Sequence, residues 1–310
     1  MTRIWFRPTV KFLQLHTSDS VFWLWKPIGT KDSSFGKPRS RGVEFMDGHG
    51  LSYQFFLNET SHSSEVILTA GALGSPQLLL LSGIGPSEHL REFNIPLVLH
   101  SPSVGQRVQD NPRSSVSWLS HQYYSIQVVG ILKASQNYIE SLSSFVNGTL
   151  SPPGPKKDNV YSEVIFEKLA FPLSRGELRL RSTDPRDNPS VRYNYYSHPL
   201  DLERCVHGVR VISNLLNSPS LRRFNSNSSH EFDFTGKPFP KNMSDDAAVA
   251  QICRDTLNTI WHFHGGCEVG YVVNKRYEVN GVESLRIVDA STFTDGPGTN
   301  PQSTTMMLGR

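Results

Sequence analysis

The sequence has no long apolar run and no one-sided charge, and those two absences exclude whole classes of function. Its most apolar stretch, Leu78 to Leu81 with its flanks, falls far short of the about 18 residues that a membrane-crossing helix requires. The 31 basic and 28 acidic residues are scattered and leave a net charge of +3. No basic block marks a nucleic-acid surface, so no nucleic-acid partner is expected. The opening MTRIWFRPTVKFLQL carries basic residues but no continuous apolar core, and no signal peptide is read there. Cysteine is scarce too: Cys205, Cys253 and Cys267 show no CxxC spacing, which argues against a structural zinc site and leaves no metal expected. Also missing is a strand, G-x-G-x-x-G turn and helix in succession. The short runs at Gly48, Gly83 and Gly296 lack the third glycine and the flanking elements.

What is present reads as an ordinary globular chain of 310 residues, 37% apolar and 19% charged, long enough for one large domain or two ordinary ones. Arg41 to Phe56 alternates on both sides of Asp47-Gly48, the pattern of a β-hairpin. A strand is expected over Glu65 to Thr69. The helix after it has Ser75 as a candidate cap, Pro76 at its first position and Gly83 as its left-handed stop. Its QLLLLS interior is apolar on nearly every side, which predicts burial. Period-two alternation in ELRLR near Gly176 and in VRYNYY from Val191 to Tyr196 predicts antiparallel strands with one wet face.

Two amphipathic helices follow. One gathers Leu202, Cys205, Val206, Val209, Ile212 and Leu216 on a face; the other, opened by Ser244, gathers Val249, Ile252, Cys253 and Ile260. Each turns one cysteine inward, so Cys205 and Cys253 are either a disulfide pair or two buried free thiols. Sequons stand at Asn58, Asn147, Asn227 and Asn242. As candidate glycosylation sites they favour a secretory or extracellular ancestry.

Three segments carry the chemistry. TAGALGSPQLLLLSGIGP (Thr69 to Pro86) puts Gly71 and Gly74 where a backbone could approach a bulky planar ligand, beside a helix start that favours negative charge. VGQRVQDNP (Val104 to Pro112) reads either as a solvated loop or as a cofactor contact. WHFHGGCEVG (Trp261 to Gly270) is followed by a buried strand over Leu285 to Asp289 and by DASTF and GTNPQ.

Together these segments resemble the glucose-methanol-choline (GMC) oxidoreductases, in particular the plant branch of HOTHEAD-type and mandelonitrile-lyase-like proteins. The likeness runs over roughly Arg41 to Arg310. The first segment resembles the family's second signature. The second departs from the usual VG-x-N-L-x-D-H at Arg107, Val108 and Asn111 and is given no catalytic role. The third resembles H-P-V-G-T-C, and counting back from Gly265, Gly266 and Cys267 places His262, not His264, on the catalytic histidine. Asn300 falls on the second catalytic position, His or Asn in the family.

The resemblance implies FAD as cofactor, approached by Ala70, Gly71, Ser75, Asp289, Ala290, Asn300, Pro301 and Gln302, with Trp261 and His264 as pocket or packing residues. It implies an alcohol substrate, deprotonated by His262 and held by Asn300 while hydride passes to the flavin. Cyanohydrin cleavage by a mandelonitrile lyase on the same scaffold is the alternative, disfavoured by Asn300 where the lyases typically carry histidine.

The expected fold class is α+β: a partial FAD-binding α/β domain plus a substrate domain with an antiparallel sheet backed by helices. The expected layout is a poorly matched segment over 1–40, FAD-domain parts over 41–113 and 256–310, and the substrate domain over 114–255. With no pyrophosphate-gripping turn in it, the chain is expected to be a fragment. It would then be an inactive remnant or one half of a split enzyme with a complementing N-terminal chain.

Overall fold

The computed structural model describes residues 22–24, 36–46, 49–58, 64–120, 131–134, 137–144, 161–219, 233–234, 237–298 and 300–310. The chain divides into two compact units. The first comprises 1–110, 175–194 and 262–310, and the second 111–174 and 195–261.

In chain order the first unit opens with β1 (Phe22–Leu24), β2 (Gly42–Met46), β3 (Ser52–Phe56), β4 (Val66–Leu68), α1 (Gly71–Leu81), β5 (Ile84–Gly85), α2 (Ser87–Glu92), β6 (Leu99–His100) and β7 (Gln106–Val108). The second unit supplies β8 (Pro112–Ser120), β9 (Ile131–Ala134), β10 (Asn137–Ser144) and β11 (Tyr161–Leu169). The chain returns to the first unit for β12 (Gly176–Arg179) and β13 (Ser190–Arg192), then to the second for α3 (Pro199–Leu216), β14 (Asp233–Phe234), β15 (Lys237–Pro238), α4 (Asp246–Asp255) and β16 (Asn258–Thr259). It ends in the first with β17 (Leu285–Ile287), a 3-10 turn over Ala290–Thr292 and α5 (Gln302–Leu308).

In the first unit, β2 and β3 pair antiparallel with Gly42 opposite Phe56 and Met46 opposite Ser52, and β1 adds to β2. The Asp47-Gly48 turn lies outside the described residues, as do the sequons at Asn147 and Asn227. β17 pairs parallel to β4, Ile287 beside Leu68, and this buried strand pair supports α1. Four consecutive leucines, Leu78 to Leu81, are all buried, so α1 is a core helix with no wet stripe.

α1 begins five residues earlier than its punctuation suggests. Ala70 is the cap residue, while Ser75 and Pro76 lie inside the helix. The Ser75 hydroxyl donates to a buried carboxylate and accepts from the Ala70 amide. Gly83, at φ +79°, ends the helix, and its carbonyl accepts from Val98 and Leu99.

The stretch 175–194, placed by its alternation in a middle domain, belongs to the first unit because β12 pairs with β7 as well as with β13. The alternation of VRYNYY stops at Arg192: Asn194 and Tyr196 take φ of +53° and +57°, which a strand does not allow.

The second unit is a 7-stranded sheet in the order β15-β14-β8-β11-β10-β9, with β16 also paired to β8; each of these pairings is antiparallel. α3 lays Cys205, Val206, Val209, Ile212 and Leu216 into a core shared with Ile165 of β11 and with Val249, Ile252 and Cys253 of α4. α4 is capped by Asp245, not Ser244, through bonds from the amides of Ala247 and Ala248. The helix ends at Asp255, so Ile260 is not on its face. Buried Asp201 accepts from the Leu173 and Ser174 amides and the Ser174 hydroxyl, anchoring the start of α3.

A Cys205–Cys253 disulfide ties α3 to α4 across a sequence separation of 48. Closing a loop of that length removes about 4 kcal/mol of unfolded-chain entropy. Cys205→Ser/Cys253→Ser, or reduction, is therefore expected to lower the unfolding free energy of this unit by a similar amount in denaturant titration.

Glu167 on β11 is fully buried against Gly208 of α3, and burial pushes its carboxyl well above the usual carboxylate range. The folded state therefore holds a proton that the unfolded chain releases. Stability should be complete below about pH 4.5 and decline by about 1.4 kcal/mol per pH unit above it, until the folded carboxyl titrates. Glu167→Gln is expected to flatten that slope in urea titrations run from pH 4 to 8, and an unchanged slope would assign it to other groups.

Candidate active site

The histidine motif is an inner strand of the first unit without being a regular strand. On one side Gly105 donates to the Gly266 carbonyl, and Gln109 and His264 exchange both backbone bonds at 2.8 and 3.0 Å. On the other, Gly265 donates to Ala290, Cys267 to Ser291 and Val269 to Thr292, at 3.0, 2.9 and 3.1 Å. The motif is thus clamped between the 104–110 segment and the 290–292 turn, with backbone polar groups paired in both directions. The 104–110 segment is accordingly no solvated loop: Val104, Val108, Gln109 and Asp110 are all buried.

Two side-chain knots fix the clamp. In the first, the buried Asp289 carboxylate accepts from the Ser75 hydroxyl at 2.6 Å, the Gly71 amide at 3.0 Å and the Ser291 amide at 2.8 Å. The first turn of α1 therefore receives its negative charge from inside the protein. In the second, buried Glu268 accepts from Arg107 Nε at 2.6 Å and Arg175 Nη1 at 3.0 Å, and Arg175 also reaches Gln109 Oε1, Thr294 O and Asp295. Burial pushes the Glu268 carboxyl above the usual carboxylate range, while the two guanidiniums pull against that shift. Arg107 adopts φ +64° and stacks over Tyr271 at 4.8 Å.

His262 and His264 are both buried. Asp110 Oδ1 accepts the His262 amide at 2.9 Å, which fixes the backbone of the candidate base. His264 Nδ1 lies 2.8 Å from the His262 carbonyl, so that nitrogen must carry the proton. Burial holds the His264 imidazole below the usual histidine range, hence neutral near pH 7. Phe263, between them, stacks on Tyr193 with centroids 5.3 Å apart. Burial likewise pushes the Cys267 thiol up, leaving it an unreactive buried group.

The remaining predicted residues fall into distinct environments. Ala70, Gly71, Ser75, Asp289 and Ala290 come together at the Asp289 knot. Asn300 and Gln302 are exposed and Pro301 half-buried at the start of α5, a helix with no buried residue. His262 and Asn300 belong to the same unit but contrast in exposure, 7% for His262 against an open Asn300. Trp261 lies at the end of the second unit, 65% exposed at φ +59°, with the Arg113 guanidinium 5.5 Å from its ring. Arg107, Gln109, Arg175 and Glu268 escape sequence reasoning, since ion pairs and hydrogen bonds between residues this far apart carry no local pattern.

A flavin cofactor fits these residues in part. Space beyond Gly71 is open, with nothing within 4 Å of where a Cβ would stand, and the neighbouring backbone of Ala70 and Ala290 is only half-buried. The exposed amides of Asn300 and Gln302 add polar groups. The Gly71 amide, however, is committed to Asp289, so Asp289 acts by shaping the turn.

Two family models of the GMC oxidoreductases match, one over residues 14–113 and one over 172–309, and the chain belongs to that family of FAD flavoproteins. The first model extends the likeness upstream of Arg41. A "(R)-mandelonitrile lyase-like" protein of Arabidopsis thaliana is 45% identical over 87% of this chain and 50% of its own length. Protein HOTHEAD of the same plant is 38% identical over 90% of this chain and 54% of its own, and the sinalpyl alcohol oxidase Nec3 of Nesocodon mauritianus 41% over 86% and 50%. The chain thus spans about half the length of these relatives. A formate oxidase of Aspergillus oryzae superposes with a TM-score of 0.74 at 19% identity, over 93% of this chain and 58% of that one. This likeness is one of fold.

The clamp makes a testable distinction between two glycines. Gly265, at φ +80°, would bring a Cβ within 2.5 Å of the Arg107 carbonyl, whereas Gly71, at φ +81°, has open space. Gly265→Ala is expected to destabilise the first unit by roughly 2 kcal/mol or more, and Gly71→Ala by about 1 kcal/mol, the strain alone. Thermal melts of the two variants check the order.

Proposed function

We propose that this chain is the part of an FAD-dependent alcohol oxidoreductase that carries the proton-transferring residues, with His262 as general base. The observation that supports it most is the placement of His262: buried, its amide held by Asp110, on a motif clamped on both sides by backbone bonds. A backbone so held reduces the reorganisation required when substrate arrives.

The chemistry divides simply. FAD would be held by the Ala70–Gly71 and Ala290 turns and by Asn300 to Gln302, and would supply the two-electron acceptor. The His262 imidazole takes the hydroxyl proton as general base. The Asn300 amide, through Nδ2, donates to the substrate oxygen and steadies its growing negative charge. Neutral His264 adds no competing positive charge beside the base.

The alcohol oxidase relative favours oxidation; the mandelonitrile-lyase-like relative supports a second reading, cyanohydrin cleavage with the same base and no net redox change.

The test uses the full chain incubated with FAD. It is expected to retain flavin absorbance on gel filtration and to bleach anaerobically with benzyl alcohol, at a rate that His262→Ala lowers about 10²- to 10⁴-fold. Release of benzaldehyde from mandelonitrile without bleaching would decide for the lyase. A chain that takes up no flavin, or bleaching untouched by His262→Ala, would contradict the proposal.

A further inference from the structure

Asn242 precedes α4 in the second unit and has no part in the proposed chemistry. It belongs to the sequon Asn242-Met243-Ser244, and Lys241 and Ser244 beside it are exposed. A chance sequon carries no requirement to be accessible, and one in a strand or core could not be an acceptor. Here Asn242 is exposed and its Oδ1 accepts from the Ser244 amide at 3.0 Å, so the turn is closed by the side-chain carbonyl and the amide nitrogen takes no part in closing it. The turn is itself fixed, because Arg210 Nε of α3 donates to the Met243 carbonyl at 2.8 Å and Arg210 also pairs with Asp246.

Two further observations point the same way. An open groove of about 360 Å³ runs beside this turn, lined by Arg210, Ser213, Asn214, Met243 and Ser244. Arg210, Ser213, Asn214 and Ser244 bring hydrogen-bonding groups that suit a hydroxyl- and acetamide-bearing ring, and Met243 adds an apolar side chain. The Cys205–Cys253 disulfide ties α4 to α3 in the same unit, and such a bond forms and persists in an oxidising compartment, the same one in which asparagine is glycosylated.

We propose that Asn242 is an N-glycan acceptor and that the innermost N-acetylhexosamine rests in the groove lined by Ser213, Asn214 and Met243. The amide nitrogen attacks the anomeric carbon of a lipid-diphosphate-linked oligosaccharide. A C–N bond forms, the C–O bond to phosphate breaks, the diphosphate lipid leaves with the electron pair, and the nitrogen gives up one proton. Asn58, exposed after β3 in the first unit, is a second sequon and serves as the internal comparison.

The experiment expresses the full chain behind a cleavable secretion leader in plant cells and maps peptides by mass spectrometry after peptide:N-glycanase, which converts an occupied asparagine to aspartate. Conversion at Asn242 in the disulfide-bonded product is expected, and an unmodified Asn242 in that product overturns the assignment. Endoglycosidase trimming to a single sugar should leave the melting midpoint unchanged, while Asn242→Gln lowers it by about 2–4 °C and Asn58→Gln does not. Equal midpoints for the trimmed, fully glycosylated and Asn242→Gln chains would overturn the seating of the sugar in the groove.

Discussion

The candidate site depends on one constraint: the histidine motif has no regular secondary structure of its own, so its backbone must be paired from both sides by segments distant in sequence. Backbone bonds with Gly105 and Gln109 on one side and with the 290–292 turn on the other meet that demand. Buried amides and carbonyls left unpaired would each cost about 1–3 kcal/mol, so the pairing and the burial of His262 stand or fall together. The glycines of the motif follow from the same geometry, since the Gly265 Cβ position lies against the Arg107 carbonyl.

The two side-chain knots extend this logic. Asp289 draws the start of α1 to the 290–292 turn, and Glu268 draws the 104–110 segment and Arg175 to the histidine motif. Each replaces solvent by a fixed charged partner inside the protein, where a carboxylate bonded by several donors holds its neighbours in one arrangement. The function proposed for His262 rests on this preorganisation, because proton transfer rewards a base already aligned.

Much of this is legible in the sequence where the signal is local. The 41–56 hairpin, the buried leucine helix, its stop at Gly83 and the cysteines turned inward from α3 and α4 follow from alternation, helical spacing and turn chemistry. The family likeness rests on motifs that are themselves short-range. What stays hidden is long-range. Serine before proline often caps a helix, yet at Ser75 tertiary contact with Asp289 overrides that preference and the helix starts at Gly71. The 175–194 stretch carries a correct strand signal but no hint that its partner is β7. Arg107, Arg175 and Glu268 form a network of residues too far apart for any spacing rule to find.

The most direct test of the central claim is hydrogen exchange of the amides that make the clamp. If the histidine motif is held as described, the amides of His264, Gly265, Cys267 and Val269 exchange slowly and lose protection together with Gly105 and Gln109, as one cooperative unit. Exchange of the motif amides at the rate of an open loop, while β4 and β17 stay protected, would contradict it.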